Sequence, residues 1–210
     1  MIVIGGMIGI GKTTTAKMLH EEIKLPVYYE SVRGNKILPL FYTASEEEKK
    51  ARRYPFLLQL SFLTSRFHAI KVALTNNNAI MDRSIYEDHY FAKKNHDLGN
   101  ISDLEMSLYD GLLDEMMDEL STYPKKAPDV MVYLHGSFDT VLKRIKSRGR
   151  SFELDKSLVD YYHFLWADYD KWVYDSYKES PVISIDVDKK NIIYNENDRK
   201  EFLDELSKYR

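Results

Sequence analysis

The segment Gly6-Met7-Ile8-Gly9-Ile10-Gly11-Lys12-Thr13 follows the apolar run Met1–Ile4 almost directly and leads straight into a helical pattern. Strand, glycine-rich loop and helix in that order leave the chain few ways to fold. A G-x-x-x-x-G-K-[ST] loop works only when a buried strand delivers it and a helix N-terminus receives it. Its glycines let backbone N–H groups converge on phosphate oxygens, and the helix adds the positive end of its dipole. Lys12 supplies a mobile positive charge for the β- and γ-phosphates, and Thr13 a hydroxyl for magnesium. Gly6, Met7, Ile8, Gly9, Ile10, Gly11, Lys12, Thr13 and Thr14 are therefore the candidate cradle of a nucleoside triphosphate.

The rest of the chain repeats the alternation that the motif begins. Apolar runs suited to buried parallel strands occur at Met1–Ile4, Val27–Tyr29, Ala79–Met81, Val130–Leu134 and Val182–Ile185. Helical spacing fills the gaps, at Thr13–Ile23, Tyr54–Asn76, Ile85–Lys94, Ser102–Leu120, Ser137–Arg148, Ser157–Tyr177 and Asn195–Tyr209. Asn76-Asn77-Asn78 ends the long second helix, and Asn195 caps the last. Such alternation predicts an α/β fold with a parallel sheet between layers of helix. No repeat or linker divides residues 1–210, so a single domain is expected. Ser45–Arg53, with Glu46-Glu47-Glu48 before Lys49-Lys50, reads as an exposed helical turn.

Composition narrows the chemistry. A formal net charge of -3 offers no basic surface for a nucleic-acid polymer or a membrane. The absence of cysteine removes disulfides, thiolate metal sites and thiol nucleophiles. The short apolar start has no basic region before it and reads as a strand, not a leader. No apolar segment is long enough to span a bilayer, and a cytoplasmic enzyme is expected.

In open α/β sheets the ligand lies at the carboxyl ends of the strands. Glu30 follows the second run, Asp82-Arg83-Ser84 the third and His135-Gly136 the fourth. A carboxylate there can accept a hydroxyl proton as that oxygen attacks the γ-phosphate, a second can hold magnesium through water, and an arginine can offset developing charge. Arg144 and Arg148 lie one turn apart on a helix face, Gly149 permits a break, and Arg150 projects beyond it. Together they suggest a lid that brings cations over the transferring group. Gln59 and Arg66, two turns apart among Phe56, Leu57, Leu58, Leu60, Phe62 and Leu63, require partners. The Gln59 amide suits a nucleobase edge, and Arg66 suits a carboxylate such as Asp88. The histidines show no metal-ligand spacing, and His89 and His135 are expected to be structural or solvated. Tyr161, Tyr162, Trp166, Tyr169, Trp172 and Tyr177 are expected to be packing.

These pieces resemble the deoxyribonucleoside kinase family, most closely its bacterial deoxyadenosine/deoxyguanosine kinase branch. The resemblance rests on the phosphate loop, on Asp82-Arg83-Ser84-Ile85-Tyr86-Glu87-Asp88, on Phe56 to Arg66 with Gln59, and on Arg148-Gly149-Arg150 with Glu153. It covers nearly the whole chain. It implies a P-loop kinase fold, a five-stranded parallel sheet flanked by helices with an arginine-rich lid, and transfer from ATP to the 5′-hydroxyl of a deoxyribonucleoside. By the same resemblance, Glu30 is the general base, Asp82 holds magnesium, and Arg83 holds Glu30 and the 5′-oxygen. Arg144 and Arg148 attend the phosphates. Tyr42 and Glu153 bind the sugar, Gln59 reads the base, Arg66 and Asp88 form a charged pair beside it, and Phe91 stacks on it. That pair argues for purine deoxynucleosides or deoxycytidine over thymidine. Family members are usually homodimers. Two departures stand out. Ser31 replaces the proline often found after the base residue, and a longer stretch before Tyr54 leaves Phe41 and Tyr54 as alternatives to Tyr42.

Other P-loop classes fit less well. A GTP switch needs an N-K-x-D loop after a late strand, whereas Asn35-Lys36-Ile37-Leu38 lacks the Asp and comes early. A nucleoside monophosphate kinase needs a basic clamp for its anionic acceptor, and Gln59 among apolar neighbours suits a neutral one.

Overall fold

The apolar start of the chain becomes β1 (Ile2–Gly6), buried along its whole length. In the computed structural model, which describes residues 1–30, 32, 34–75, 78–123 and 127–209, β1 is the centre of a five-stranded sheet. Its companions are β2 (Val27–Tyr28), β3 (Ile80–Asp82), β4 (Val130–His135) and β5 (Val182–Asp186), in the order β2-β3-β1-β4-β5. Every neighbouring pair is parallel, with Ile2 opposite both Ile80 and Val130. Parallel strands require crossovers, and helices laid on the sheet bury its faces, which is why these strands read as unbroken apolar runs. Ile2, Ile4, Ile80, Met81 and Val132 are sealed in this core with Leu19 of the first helix.

The loop after β1 is shaped by its glycines. Gly6 sits at φ 140°, and a Cβ there would stand 2.4 Å from the Leu134 carbonyl oxygen. Gly9 sits at φ 80°, with a Cβ 2.6 Å from Ile145 Cγ1. A side chain at either position would lift the loop off the elements beneath it. α1 (Lys12–Ile23) follows.

The remaining helices are α2 (Ile37–Thr43), α3 (Glu46–Arg52), α4 (Tyr54–Thr75), α5 (Ile85–Asp97), α6 (Asp103–Ser121), α7 (Phe138–Arg148), α8 (Leu158–Ala167), α9 (Tyr169–Lys171) and α10 (Glu196–Leu206). α3 is the exposed charged turn expected there, capped by Ser45 and braced by Lys49 on Glu46 at 2.8 Å. Asn195 caps α10 through the Asn197 and Asp198 amides. α4 ends at Thr75; Asn76 and Asn77 lie outside the described residues, as does Ser31.

Two features depart from the sequence reading. α2 was not among the expected helices. Pro39 falls in the first helical turn, where no N–H is needed, and Asn35 Oδ1 accepts the amides of Ile37 and Leu38. The single helix expected at Ser157–Tyr177 is broken. α8 stops at Ala167, Asp168 leaves helical geometry at φ -103° and ψ 3°, and after α9 the residues Trp172–Ser176 form a π-helical turn. Lys94 Nζ bonds the Asp168 carboxylate at 2.7 Å, so a tertiary contact sits at the break. Smaller shifts occur at strand ends: Asp82 and His135 are the last residues of β3 and β4, not the first beyond them.

Most of the aromatic series is packing, as expected: Tyr162, Tyr169 and Tyr177 are buried, and Trp166 Nε1 donates to the Gly136 carbonyl at 3.0 Å. His89 Nε2 lies 3.1 Å from Asp110, and His135 stacks on Tyr133. No described helix is long and apolar enough to cross a membrane.

Candidate active site

The carboxyl ends of β1 to β4 open on one cavity of about 1050 Å³. The phosphate loop forms one wall, from Ile8 to Thr15. Gly6 and Met7 lie beneath this wall, and their carbonyl oxygens accept from Lys12 Nζ at 2.9 and 3.0 Å. Lys12 is buried, which pushes its pKa down; Arg83 adds to this, and the carboxylates of Asp82, Glu30 and Glu87 only partly restore it, to about 8. Thr13 donates its hydroxyl to Asp82 Oδ2 at 2.6 Å. Asp82 Oδ1 is buried without a hydrogen-bond partner. A carboxylate with a bare oxygen, a hydroxyl beside it and a phosphate cradle in front is a donor set that fits a hard divalent cation such as Mg²⁺. Burial raises the pKa of Asp82, and Lys12 opposes the rise.

Glu30, Asp82 and Arg83, predicted to meet across the strand ends, do meet. Arg83 Nε donates to Glu30 Oε1 at 2.9 Å, and Arg66 Nη2 lies 3.7 Å from the same oxygen. Burial alone would raise the Glu30 pKa, but Arg83, Arg66 and Lys12 together outweigh it and hold the carboxyl at about 2. Glu30 is thus ionised throughout the neutral range. Arg83 adopts φ 82°, a left-handed conformation costly for a residue with a side chain. Its amide donates to the Ile4 carbonyl at 3.0 Å, and its guanidinium lies 4.5 Å from the Phe91 ring centroid.

The base-reading residues lie deeper. Gln59 and Phe91 are buried and both line the cavity, among Phe41, Leu58 and Phe62. The predicted Arg66–Asp88 pair forms at 3.0 Å, between α4 and α5. Asp88 lines the cavity, and Arg66 packs behind it. Its guanidinium is occupied by Asp88, by the Asp82 carbonyl at 2.5 Å and by Glu30, so it acts on the pocket through these groups. Burial pushes Asp88 up to about 6 against the pull of Arg66.

Tyr42 lines the cavity, its ring stacked on Phe152 at 5.8 Å. Of the two alternatives, Phe41 is also in the wall but carries no hydroxyl, and Tyr54 turns away to bond Glu48 at 3.2 Å. Glu153 is buried close to Tyr42, next to Phe152, and is bonded by Arg148 and by Arg150 at 3.2 Å. Arg144 donates to the Ile10 carbonyl. All three arginines therefore line the cavity with their guanidiniums already engaged.

Several residues escaped the sequence reading. Glu87 sits under the loop with Tyr169 bonded to it. The S-x-x-E spacing of Ser84 and Glu87 signals a helix cap, and a capping box does form, so nothing in the sequence pointed to more. Lys190, Ile192 and Tyr194 complete the wall beside the loop from a segment without a motif.

A phosphate cradle on a parallel sheet, facing a carboxylate–arginine pair across one cavity, defines a P-loop kinase. The sequence matches the deoxynucleoside kinase family over residues 2–209. It is 43% identical over 209 residues to a deoxyguanosine kinase of Lactobacillus johnsonii, covering 98% of this chain and 90% of that protein. It is 42% identical over 209 residues to a deoxyadenosine kinase of Lactobacillus acidophilus, covering 98% and 94%. A solved structure of deoxyadenosine kinase from M. mycoides with bound dATP superposes with a TM-score of 0.78 at 25% identity, over 98% of each chain. This chain belongs to the deoxynucleoside kinase family, and it is an enzyme of that class.

Proposed function

We propose that the protein, as one kinase domain, transfers the γ-phosphoryl group of ATP to the 5′-hydroxyl of a deoxyribonucleoside, yielding the 5′-monophosphate in nucleotide salvage. Deoxyadenosine is the first choice of acceptor, ahead of deoxyguanosine and deoxycytidine. The observation that carries this reading is Glu30, ionised and fixed by Arg83 at 2.9 Å, in the same cavity as Lys12 and the phosphate loop. An ionised carboxylate beside the acceptor hydroxyl takes its proton as the oxygen attacks. A pKa of about 2 makes Glu30 a weak base, which suits a loose transition state in which the hydroxyl proton leaves late. Arg83 keeps the carboxylate oriented and offsets charge as it moves. The relatives named deoxyguanosine kinase and deoxyadenosine kinase support a purine acceptor. So does the polar edge made by Gln59 and Asp88. Arg66 and Arg83 are both committed to carboxylates, so neither is spare to clamp the anionic group of a monophosphate acceptor.

Tyr42 and Glu153 bind the sugar, and Phe91 stacks on the base. Thr13 and Asp82 would hold Mg²⁺, which when bound neutralises the β- and γ-phosphates. Arg144, Arg148 and Arg150 form the lid. With Gly149 at φ 70° between helix and turn, Arg148 and Arg150 can move from Glu153 onto phosphate as the cavity fills. Leu104, Leu108 and Leu112, exposed at four-residue spacing on α6, supply an apolar stripe for a homodimer interface. A cytoplasmic location is part of the same reading.

The test is phosphate transfer from ATP and magnesium to deoxyadenosine, deoxyguanosine, deoxycytidine, thymidine, their ribo-forms and their monophosphates. Turnover of deoxyadenosine above the others is expected. Turnover of monophosphates alone would replace this reading.

A further inference from the structure

Glu87 does far more than cap α5. Its Oε2 accepts the Ser84 amide at 2.8 Å, the bond a cap requires. Its Oε1 gathers three further donors: the Gly6 amide at 3.1 Å, Arg83 Nη1 at 3.4 Å and the Tyr169 hydroxyl. The same Gly6 amide lies 3.3 Å from the Tyr169 hydroxyl, closing a triangle. Glu87 is wholly buried, and Tyr169 and Arg83 nearly so. Gly5 lies against the carboxylate: a Cβ there would touch Glu87 Oε2 at 3.4 Å and crowd Met131 Sδ at 3.1 Å. Tyr169 reaches this point because the helix breaks at Asp168, and its ring is fixed against Tyr90 at 4.9 Å and Tyr133 at 5.8 Å.

The partners of this carboxylate belong to the two halves of the site. Gly6 is the last residue of β1, where the phosphate loop begins. Arg83 holds the acceptor base and keeps a left-handed backbone that must be sustained by its surroundings. Glu30 and Glu87 share the Arg83 guanidinium, one from the cavity and one from below. We propose that Glu87, locked by the Tyr169 hydroxyl, is a positioning residue that fixes Arg83, and through it Glu30, in register with the phosphate loop. This inference rests on the acceptor-side reading given above. A buried carboxylate with so many donors is rigid, and phosphoryl transfer depends on alignment to within a fraction of an ångström. Without Glu87, Arg83 would lose one of its two anchors and turn towards Glu30.

Tyr169→Phe is the discriminating variant, because it leaves the capping box and the ring packing in place. In Tyr169→Phe, kcat should fall about tenfold, as expected for losing a hydrogen bond to a charged group. In Glu87→Gln, kcat should fall about a hundredfold. KM for ATP and for the nucleoside should stay within about threefold in both, since alignment and not binding is lost. The NMR signal of the Arg83 Nε–Hε group, read without substrate, should shift in both variants. Wild-type kcat in Tyr169→Phe, or a rise in KM with kcat unchanged, overturns the proposal. If Glu87→Gln does not fold, Tyr169→Phe decides alone. A wild-type enzyme inactive on every nucleoside, with the Arg83 signal still shifting in Tyr169→Phe, would remove the acceptor reading and leave the clamp standing.

Discussion

The phosphate-donor half of the cavity and the acceptor half are built in opposite ways. The core of the donor half is one continuous stretch, Ile8 to Thr15, with its shape dictated by backbone geometry; Asp82, Arg144 and Arg148 add side chains around it. The acceptor half is assembled from side chains on separate elements: Tyr42 on α2, Gln59 and Arg66 on α4, Arg83 after β3, Asp88 and Phe91 on α5, and Glu153 beyond α7. Backbone recognition tolerates little change in sequence and little choice of ligand, because every triphosphate presents the same oxygens. Side-chain recognition distributed over several helices lets the acceptor be re-specified one residue at a time.

The largest effects should separate these halves. Lys12→Met removes the mobile cation of the donor half, and kcat should fall by about 10²- to 10³-fold. Nucleoside affinity, measured by calorimetry, should be unchanged. Glu30→Gln should lower kcat by at least about a hundredfold with ATP affinity intact. Near-normal turnover would move the base role to Asp82 or away from any residue.

Next in size is Arg66→Ala. It leaves Asp88 buried without its partner, so a stability loss of about 3–5 kcal/mol is expected in chemical denaturation. In the folded fraction, base preference should change more than ATP affinity. The reverse would place Arg66 outside the acceptor half.

The two halves of the Arg66 cluster should also respond to pH with opposite sign. Glu30 is depressed from 4.5 to about 2, so the unfolded chain binds more protons there and stability rises with pH between those values. Asp88 is raised from 3.8 to about 6, so the native state holds that proton longer and stability falls over the window from 3.8 to about 6. Tm measured against pH should therefore lose its acid-side gain in Glu30→Gln and its later decline in Asp88→Asn. The smallest effect is Gln59→Ala, where kcat/KM for the preferred nucleoside should drop about five- to tenfold, the worth of one neutral hydrogen bond.

Contiguity explains what could be read from the sequence. The phosphate loop is a local motif and needs no fold to be recognised. The Arg66–Asp88 pair was legible because a polar residue on an apolar helix must find a partner, and the charge of that partner was predictable. Glu87 was not, because a capping box already accounts for a glutamate three residues after a serine. The break at Asp168 was hidden because aromatic spacing favours one helix, and only Lys94 from α5 reveals why it stops. α2 contains Pro39, whose acceptability depends on which turn it occupies. Residues such as Tyr194 join the cavity wall by chain geometry alone and carry no signal.

Burial pushes the Lys12 pKa down to about 8, so this lysine gives up its proton more readily than a solvated one. Its Nζ bonds the Gly6 and Met7 carbonyls, and a triphosphate on the loop must share or replace those bonds. The charge that meets phosphate is thus already moored to the backbone of the loop that holds the phosphate.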